Sequence, residues 1–196
     1  MKHRSEFDPS YFKKDKLMNF DALKIDDDFI FQGNVLERLT LLAELVRNKI
    51  GVSNEEYESI YSYAYNCFVA GQHEQAKDIF KVLLLVNQKE ERSFLGLGAT
   101  LQKLGHPERA ISIYQAGHIA VPSSVKLLFN LGLAYLEMDN LQDAESAFLY
   151  ASVVGYKNRK QDKEKMFEMA ERMWKMARKK QSKELIGIQD ALIQVD

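Results

Sequence analysis

The 196-residue chain is predicted to be all-α, built from three helix-turn-helix repeats with a capping helix at each end. Three observations lead there. Ala76, Ala110 and Ala144 recur at a spacing of 34 residues, and four residues after each comes an aromatic, Phe80, Tyr114 or Phe148. Twelve residues before each alanine stands another small residue, Ala64, Gly98 or Gly132. The whole chain holds only three prolines and ten glycines, so long stretches carry no helix breaker.

Taken in order, residues 1–33 mix charges evenly with Phe7, Tyr11, Phe12, Phe20 and Phe29 and include the acidic run Asp26-Asp27-Asp28. They are expected to form a partly disordered arm that docks only locally. The following segment, 34–52, carries Leu36, Leu39, Ala43, Val46 and Ile50 at helical spacing, and Gly51 ends it. A terminal repeat leaves an apolar face open, and this helix is expected to cover it. Its apolar strip is also a candidate dimer contact. Ser53 and Glu56 then read as a capping box that starts the first repeat helix.

Residues 53–158 hold the repeats, framed as 57–90, 91–124 and 125–158. Bulky Ile60, Phe94 and Leu128 share the fourth slot, and Tyr63, Leu97 and Leu131 the seventh. Gly71, Gly105 and Asp139 fall at one slot, where a tight turn between helices needs a residue tolerant of the left-handed region. This register matches the tetratricopeptide pattern W-x2-L-G-x2-Y…A-x3-F…P, without its signature Trp. Such repeats stack into a right-handed superhelical array. The small residues at slots eight and twenty let helix A approach helix B closely, and the aromatics fill the gap beside them. Gly98 therefore gives up about 1 kcal/mol of helix propensity, which packing must offset.

Residues 159–196 supply the other cap and a tail. Met166, Met169, Ala170, Met173, Trp174 and Ala177 lie on one helical face, which predicts an amphipathic helix packed on the third repeat. The methionines read as core filling, since a thioether adapts to irregular gaps. Residues 157–196 carry 11 basic and 7 acidic side chains, against 7 and 12 over 53–156. A basic helix can meet nucleic acid or a membrane surface. Here Glu164, Glu168 and Glu171 interleave the positive charge, and aromatics for base stacking are scarce, so a solvated face is expected.

Little in the chain supports chemistry. In FLGLGATLQKLG, Gly96, Gly98 and Gly105 miss dinucleotide spacing, because Leu101 stands where the third glycine belongs. The histidines His3, His73, His106 and His118 have no partners at metal spacing. His73 and His106, both in inter-helix turns, are expected to face solvent. Cys67 sits at a packing slot and is expected to be buried and inert; one cysteine forms no internal disulfide, consistent with a reducing cytosol. No apolar run reaches the roughly 20 residues of a membrane span. The N-terminus has no apolar h-region of a signal peptide. The expectation is a non-enzymatic protein with no cofactor and no metal, neither binding nucleic acid nor inserting in membranes.

In tetratricopeptide arrays, slots 2, 5, 9, 12 and 13 of helix A point into a concave groove. Here they hold Glu58, Tyr61, Tyr65, Phe68 and Val69 in the first repeat, and Arg92, Leu95, Ala99, Gln102 and Lys103 in the second. The third contributes Lys126, Phe129, Leu133, Leu136 and Glu137. The candidate peptide-binding residues are Tyr61, Tyr65, Phe68, Leu95, Ala99, Gln102, Phe129 and Leu133, with Arg92, Lys103 and Lys126 on the rim. An apolar, aromatic trough fits an extended peptide with hydrophobic anchors. The carboxylate clamp of heat-shock co-chaperones needs Lys and Asn where Tyr61 and Tyr65 stand, which excludes it.

A narrower resemblance covers residues 33–156. The blocks Tyr61–Gly71, Phe94–Gly105, Ala110–Gly117 and Ala144–Ala151 resemble the tetratricopeptide chaperones of bacterial type III secretion translocators. In that family they read Y-x-L-A-[FY]-x-x-[YF]-x-x-G, F-x-L-G-L-G-A-x-x-Q-x-L-G, A-I-x-x-Y-x-x-G and A-E-x-x-F-x-x-A. The third repeat departs from the family, opening with PSSVKLLFNLGLAYLE. The resemblance implies a chaperone of the bacterial cytoplasm. It would hold hydrophobic translocator proteins before export by gripping an extended P-x-L-x-x-P-like segment in the groove. Homodimerisation through the N-terminal helix is part of the same implication. The competing expectation is a scaffold or regulatory adaptor joining folded proteins through the convex face or the basic C-terminal helix.

Overall fold

Helix starts and stops follow local chemistry throughout. In the computed structural model, which describes residues 30–31, 33–47, 52–157 and 166–193, the helices are α1 (Val35–Arg47), α2 (Asn54–Val69), α3 (His73–Val86), α4 (Glu91–Lys103), α5 (Pro107–Ala120), α6 (Val125–Glu137), α7 (Leu141–Lys157) and α8 (Met166–Ile193). Expectations for residues before Ile30, for Ile50 and Gly51, and for 158–165 lie outside the described residues. Of the expected N-terminal arm, Ile30 is described, and its side chain is fully buried.

The predicted capping box is present: Ser53 Oγ accepts from the Glu56 amide at 3.2 Å, while Glu56 Oε2 accepts from the Ser53 amide at 2.8 Å. Ser124 caps α6 by accepting from the Leu127 amide at 3.1 Å. Pro107 occupies the first turn of α5, where its missing N–H costs nothing.

All three A-to-B turns close in the same way. Gly71 (φ 77°), Gly105 (φ 78°) and Asp139 (φ 55°) take the left-handed conformation the sequence assigns to them. The next amide reaches back five residues, from Gln72 to the Cys67 carbonyl, His106 to Leu101 and Asn140 to Tyr135, each at 2.9 Å. Paired with the bonds from Gly71 to Phe68, Gly105 to Gln102 and Asp139 to Leu136, these are Schellman motifs.

Two compact units result, Met1–Gln88 and Lys89–Asp196. In the first, α3 packs against both α2 and α1. Val35, Leu39 and Ala43 form the buried stripe of α1, facing a core that includes Ala64, Ala76, Phe80 and Leu83. Thr40 Oγ1 donates to Gln88 Oε1 at 3.1 Å.

In the second unit α4 to α7 make two antiparallel pairs, and α8 packs on α7 and α6. A Cβ at Gly98 would lie 2.3 Å from the Tyr114 ring, and one at Gly132 2.6 Å from Phe148. Both distances are far inside van der Waals contact, so glycine is what lets helix A meet the aromatic of helix B. Gly117 is equally constrained, 2.8 Å from Phe94, although the repeat pattern gives no hint of it.

The helix α8 packs on the third repeat. Ala170 and Ala177 are buried against Leu128, Phe129, Ala144, Phe148, Ala151 and Val154, with Met166, Met173 and Trp174 half-buried beside them. Met169 departs from the predicted stripe and is 47% exposed. It lies next to the buried Ala170 but outside the cluster that α7 and α8 share. The glutamates do interleave the charge, with Glu171 to Lys175 at 2.6 Å and Glu168 to Arg172 at 3.7 Å.

Candidate functional site

In the second unit the candidate face is built by α4 and α6, two neighbouring A helices. Each turns one side into the core, where Phe94, Leu97, Leu101, Leu128 and Leu131 are buried. The 3.6-residue period leaves Leu95, Ala99, Leu133 and Leu136 half-buried on the other side. That row is apolar; Leu95 and Ala99 belong to α4, while Leu133 and Leu136 lie against the cluster that α6 and α7 share with Ala170 and Ala177 of α8. Phe129 differs from its neighbours: it is 8% exposed, meets Phe148 edge-on at 5.5 Å, and belongs to the core cluster. A slot-five residue thus lies deeper here than Leu95, its counterpart in the second repeat.

In the first unit the corresponding side of α2 carries Tyr61, Tyr65 and Phe68. Tyr61 is half-buried, edge-on to Phe80 at 6.0 Å, and Tyr65 is 53% exposed. Phe68 packs on His73, ring centroids 5.5 Å apart. His73 therefore does not face solvent as the sequence suggested. It opens α3 directly after the turn, so its ring folds back on the end of α2 and its Nδ1 is buried. Cys67 is buried as expected, and burial pushes its thiol above the ordinary range, which suppresses thiolate chemistry.

The rim residues differ in availability. The Arg92 guanidinium is held by Glu90 through Nε to Oε1 at 2.9 Å and Nη2 to Oε2 at 3.2 Å. Lys126 is half-buried, whereas Lys103 is exposed.

Gln102 has a role that its slot alone does not disclose. The Tyr114 hydroxyl donates to Gln102 Oε1 at 2.8 Å, and Gln102 Nε2 donates to Glu137 Oε2 at 2.8 Å. Burial, with the Glu137 charge adding to it, raises the Tyr114 phenol so that it keeps its proton. The order of donors is fixed, because an ionised carboxylate only accepts, so the amide must turn its NH2 toward Glu137 and its oxygen toward Tyr114. The sequence signal for this relay is a glutamine among the apolar residues of α4, twelve residues before the slot-24 tyrosine.

A second surface escaped the sequence reading altogether. On α7, Leu149, Tyr150, Val153 and Tyr156 are exposed to 40%, 49%, 41% and 60%. The core face of that helix is already filled by Ala144, Ala147, Phe148, Ala151 and Val154, so these side chains are apolar surplus. The His118 ring meets Tyr150 edge-on at 5.2 Å. Among the described residues no group of three metal-ligating side chains occurs, and no helix is long and apolar enough to cross a membrane.

Paired helices with Schellman turns and small-residue contacts define a tetratricopeptide-repeat protein. No family model matches the chain. Similarity to individual proteins is specific. Low calcium response locus protein H of Yersinia pestis is 32% identical over 100 residues, which span 51% of this chain and 60% of that protein. A type III secretion system complex from Aeromonas hydrophila contains a chain 30% identical, with a TM-score of 0.62 over 72% of this chain and 90% of that one. The type III secretion chaperone SycD of Yersinia enterocolitica, solved with a peptide of the translocator YopD, is 27% identical with a TM-score of 0.59, over 67% of this chain and 99% of its own. The chain belongs to the family of type III secretion translocator chaperones.

Proposed function

We propose that this protein is a non-enzymatic chaperone of the bacterial cytoplasm that holds hydrophobic translocator proteins before export. The observation that carries the reading is the half-buried apolar row Leu95, Ala99 and Leu133 on adjacent A helices. An extended segment with leucine and proline anchors, of the P-x-L-x-x-P kind, would bury that row. Tyr61, Tyr65 and Phe68 on α2 are the contacts we assign to the first unit, with Phe129 as the floor of the second. A proline-stiffened segment is already extended and loses little entropy on docking, so modest apolar contact suffices for useful affinity. Shielding a membrane-seeking segment also prevents its aggregation. The kinship with SycD, solved with a translocator peptide, supports the same client class. Arg92, Lys103 and Lys126 are rim contacts in this reading. The N-terminal helix α1 is the surface we assign to homodimerisation, and we assign residues 34–52 and 159–196 to the two caps.

The test uses Tyr65, whose ring is half in solvent and whose replacement leaves the core intact. Tyr65→Glu is expected to abolish co-purification of a co-expressed translocator while the far-ultraviolet circular dichroism stays that of the parent. Undiminished capture by the variant overturns the assignment of this face.

A second reading is favoured by the stripe on α7. Leu149, Tyr150, Val153 and Tyr156 offer an adaptor surface for a folded partner. In that case Tyr150→Glu with Tyr156→Glu removes partner binding and Tyr65→Glu does not.

A further inference from the structure

The carboxylate of Glu137 is unusually well placed for an exposed side chain. It ends α6 beside Leu133 and Leu136, on the same side as the apolar row. One oxygen, Oε2, accepts from Gln102, whose amide is itself oriented by the Tyr114 hydroxyl. Tyr114 is anchored in turn, since its ring is fully buried in the contact that Gly98 makes possible. The chain of donors thus runs from the core to the surface and ends on a charge. The other oxygen, Oε1, receives no hydrogen bond and no cation among the described residues. Lys103, exposed on α4, forms no ion pair there either. A carboxylate held this way meets a ligand without losing side-chain freedom at that moment, which is what makes a surface charge selective.

We propose that Glu137 is a specificity-determining residue of the peptide-binding face, selecting translocator segments that carry a cationic side chain next to their apolar anchor, with Gln102 and Tyr114 as its positioning residues. The inference rests on the peptide-binding reading above and adds to it the charge of the preferred client. An ammonium or guanidinium group reaching Oε1 completes the carboxylate's coordination, whereas an acidic side chain at that place meets like charge with no donor to relieve it.

The experiment measures dissociation constants by fluorescence anisotropy for the full chain with three synthetic peptides. All share the P-x-L-x-x-P frame, and the x positions are serine, lysine or glutamate. The lysine peptide is expected to bind about five-fold tighter than the glutamate peptide at low salt, the size of one favourable surface pair, with the ratio shrinking toward unity in 0.5 M salt. Glu137→Gln should erase that ratio. Gln102→Leu, which frees the carboxylate to rotate, should reduce it, and circular dichroism establishes that each variant is folded. A serine peptide that binds, with lysine and glutamate forms indistinguishable, overturns this inference and leaves the chaperone reading standing. A ratio that persists in Glu137→Gln overturns it equally. Failure of all three peptides to bind overturns both readings.

Discussion

A methyl group at Gly98 would stand 2.3 Å from the Tyr114 ring, and that single distance sets two effects against each other. Alanine gains about 1 kcal/mol of helix propensity. The overlap falls on a fully buried ring rather than on a flexible side-chain end, so α4 or Tyr114 must move, at a cost of about 1–3 kcal/mol. In that variant the Tyr114 to Gln102 bond, 2.8 Å in the parent, would be disturbed as well. Gly98→Ala is therefore expected to lower the unfolding free energy in urea, and a stabilised variant would show that the helices can separate freely. At Asp139 the balance runs the other way. Its φ of 55° is a conformation that costs a non-glycine residue about 1 kcal/mol. The ion pair it makes with Lys180 at 3.0 Å is largely solvated and contributes little. Asp139→Gly should raise stability by about 0.5 to 1 kcal/mol in the same measurement. These two positions were legible in the sequence because they recur every 34 residues. Gly117 is absent from that register, since its slot holds Leu83 in the first repeat and Ala151 in the third, and it enters only as the last residue of the family block Ala110–Gly117. His73 was misplaced for a related reason: slot periodicity gives the turn but not the direction in which a ring folds after it.

At the scale of the helix, the caps are where general patterns and particular packing part company. The amphipathic period identified α8 and its alanines, and Ala170 and Ala177 are indeed the residues that let it lie close to the core cluster. Met169 shared the period yet stayed exposed, because the width of a contact depends on the partner helix and a single-helix pattern contains no partner. The apolar surplus on α7 was hidden likewise, since its exposed and buried side chains read as one continuous greasy helix. Trp174 turns α8 into its own reporter. It is the one tryptophan of the chain, half-buried, with Nε1 donating to Glu145 at 3.1 Å and the Arg178 guanidinium 5.9 Å from the ring centre. Ala170→Asp places an unpaired carboxylate at a site with no exposure. The expected outcome is a loss of roughly 3 kcal/mol or more, and a red-shifted tryptophan emission as α8 leaves its seat. Unchanged emission would mean that α8 is held by something other than this contact.

Over the whole molecule, the division at Gln88 and Lys89 makes ligand binding readable unit by unit. Tryptophan emission follows only the second unit, which contains Trp174, while circular dichroism follows the helices of both. A ligand that binds the folded state stabilises it by RT ln(1 + [L]/Kd), about 2.7 kcal/mol at a hundred-fold excess over Kd. In a chain of this size that corresponds to a rise in Tm of about 5–10 °C. If a translocator segment touches Tyr65 on α2 as well as Leu95 and Leu133, the linkage acts on both units and both probes shift upward together. A segment bound only by α4 and α6 would raise the tryptophan transition and leave the α1 to α3 contribution to the dichroism where it was. Tyr65→Glu separates the cases further, because the loss of affinity lowers the shift in both probes if α2 contributes to binding and leaves it unchanged if the segment is held by α4 and α6 alone. We expect coincident shifts in the parent protein, diminished in both probes by Tyr65→Glu. A translocator segment that saturates the protein without moving either transition would mean that it binds the folded and unfolded chains alike, which a preformed apolar face cannot do.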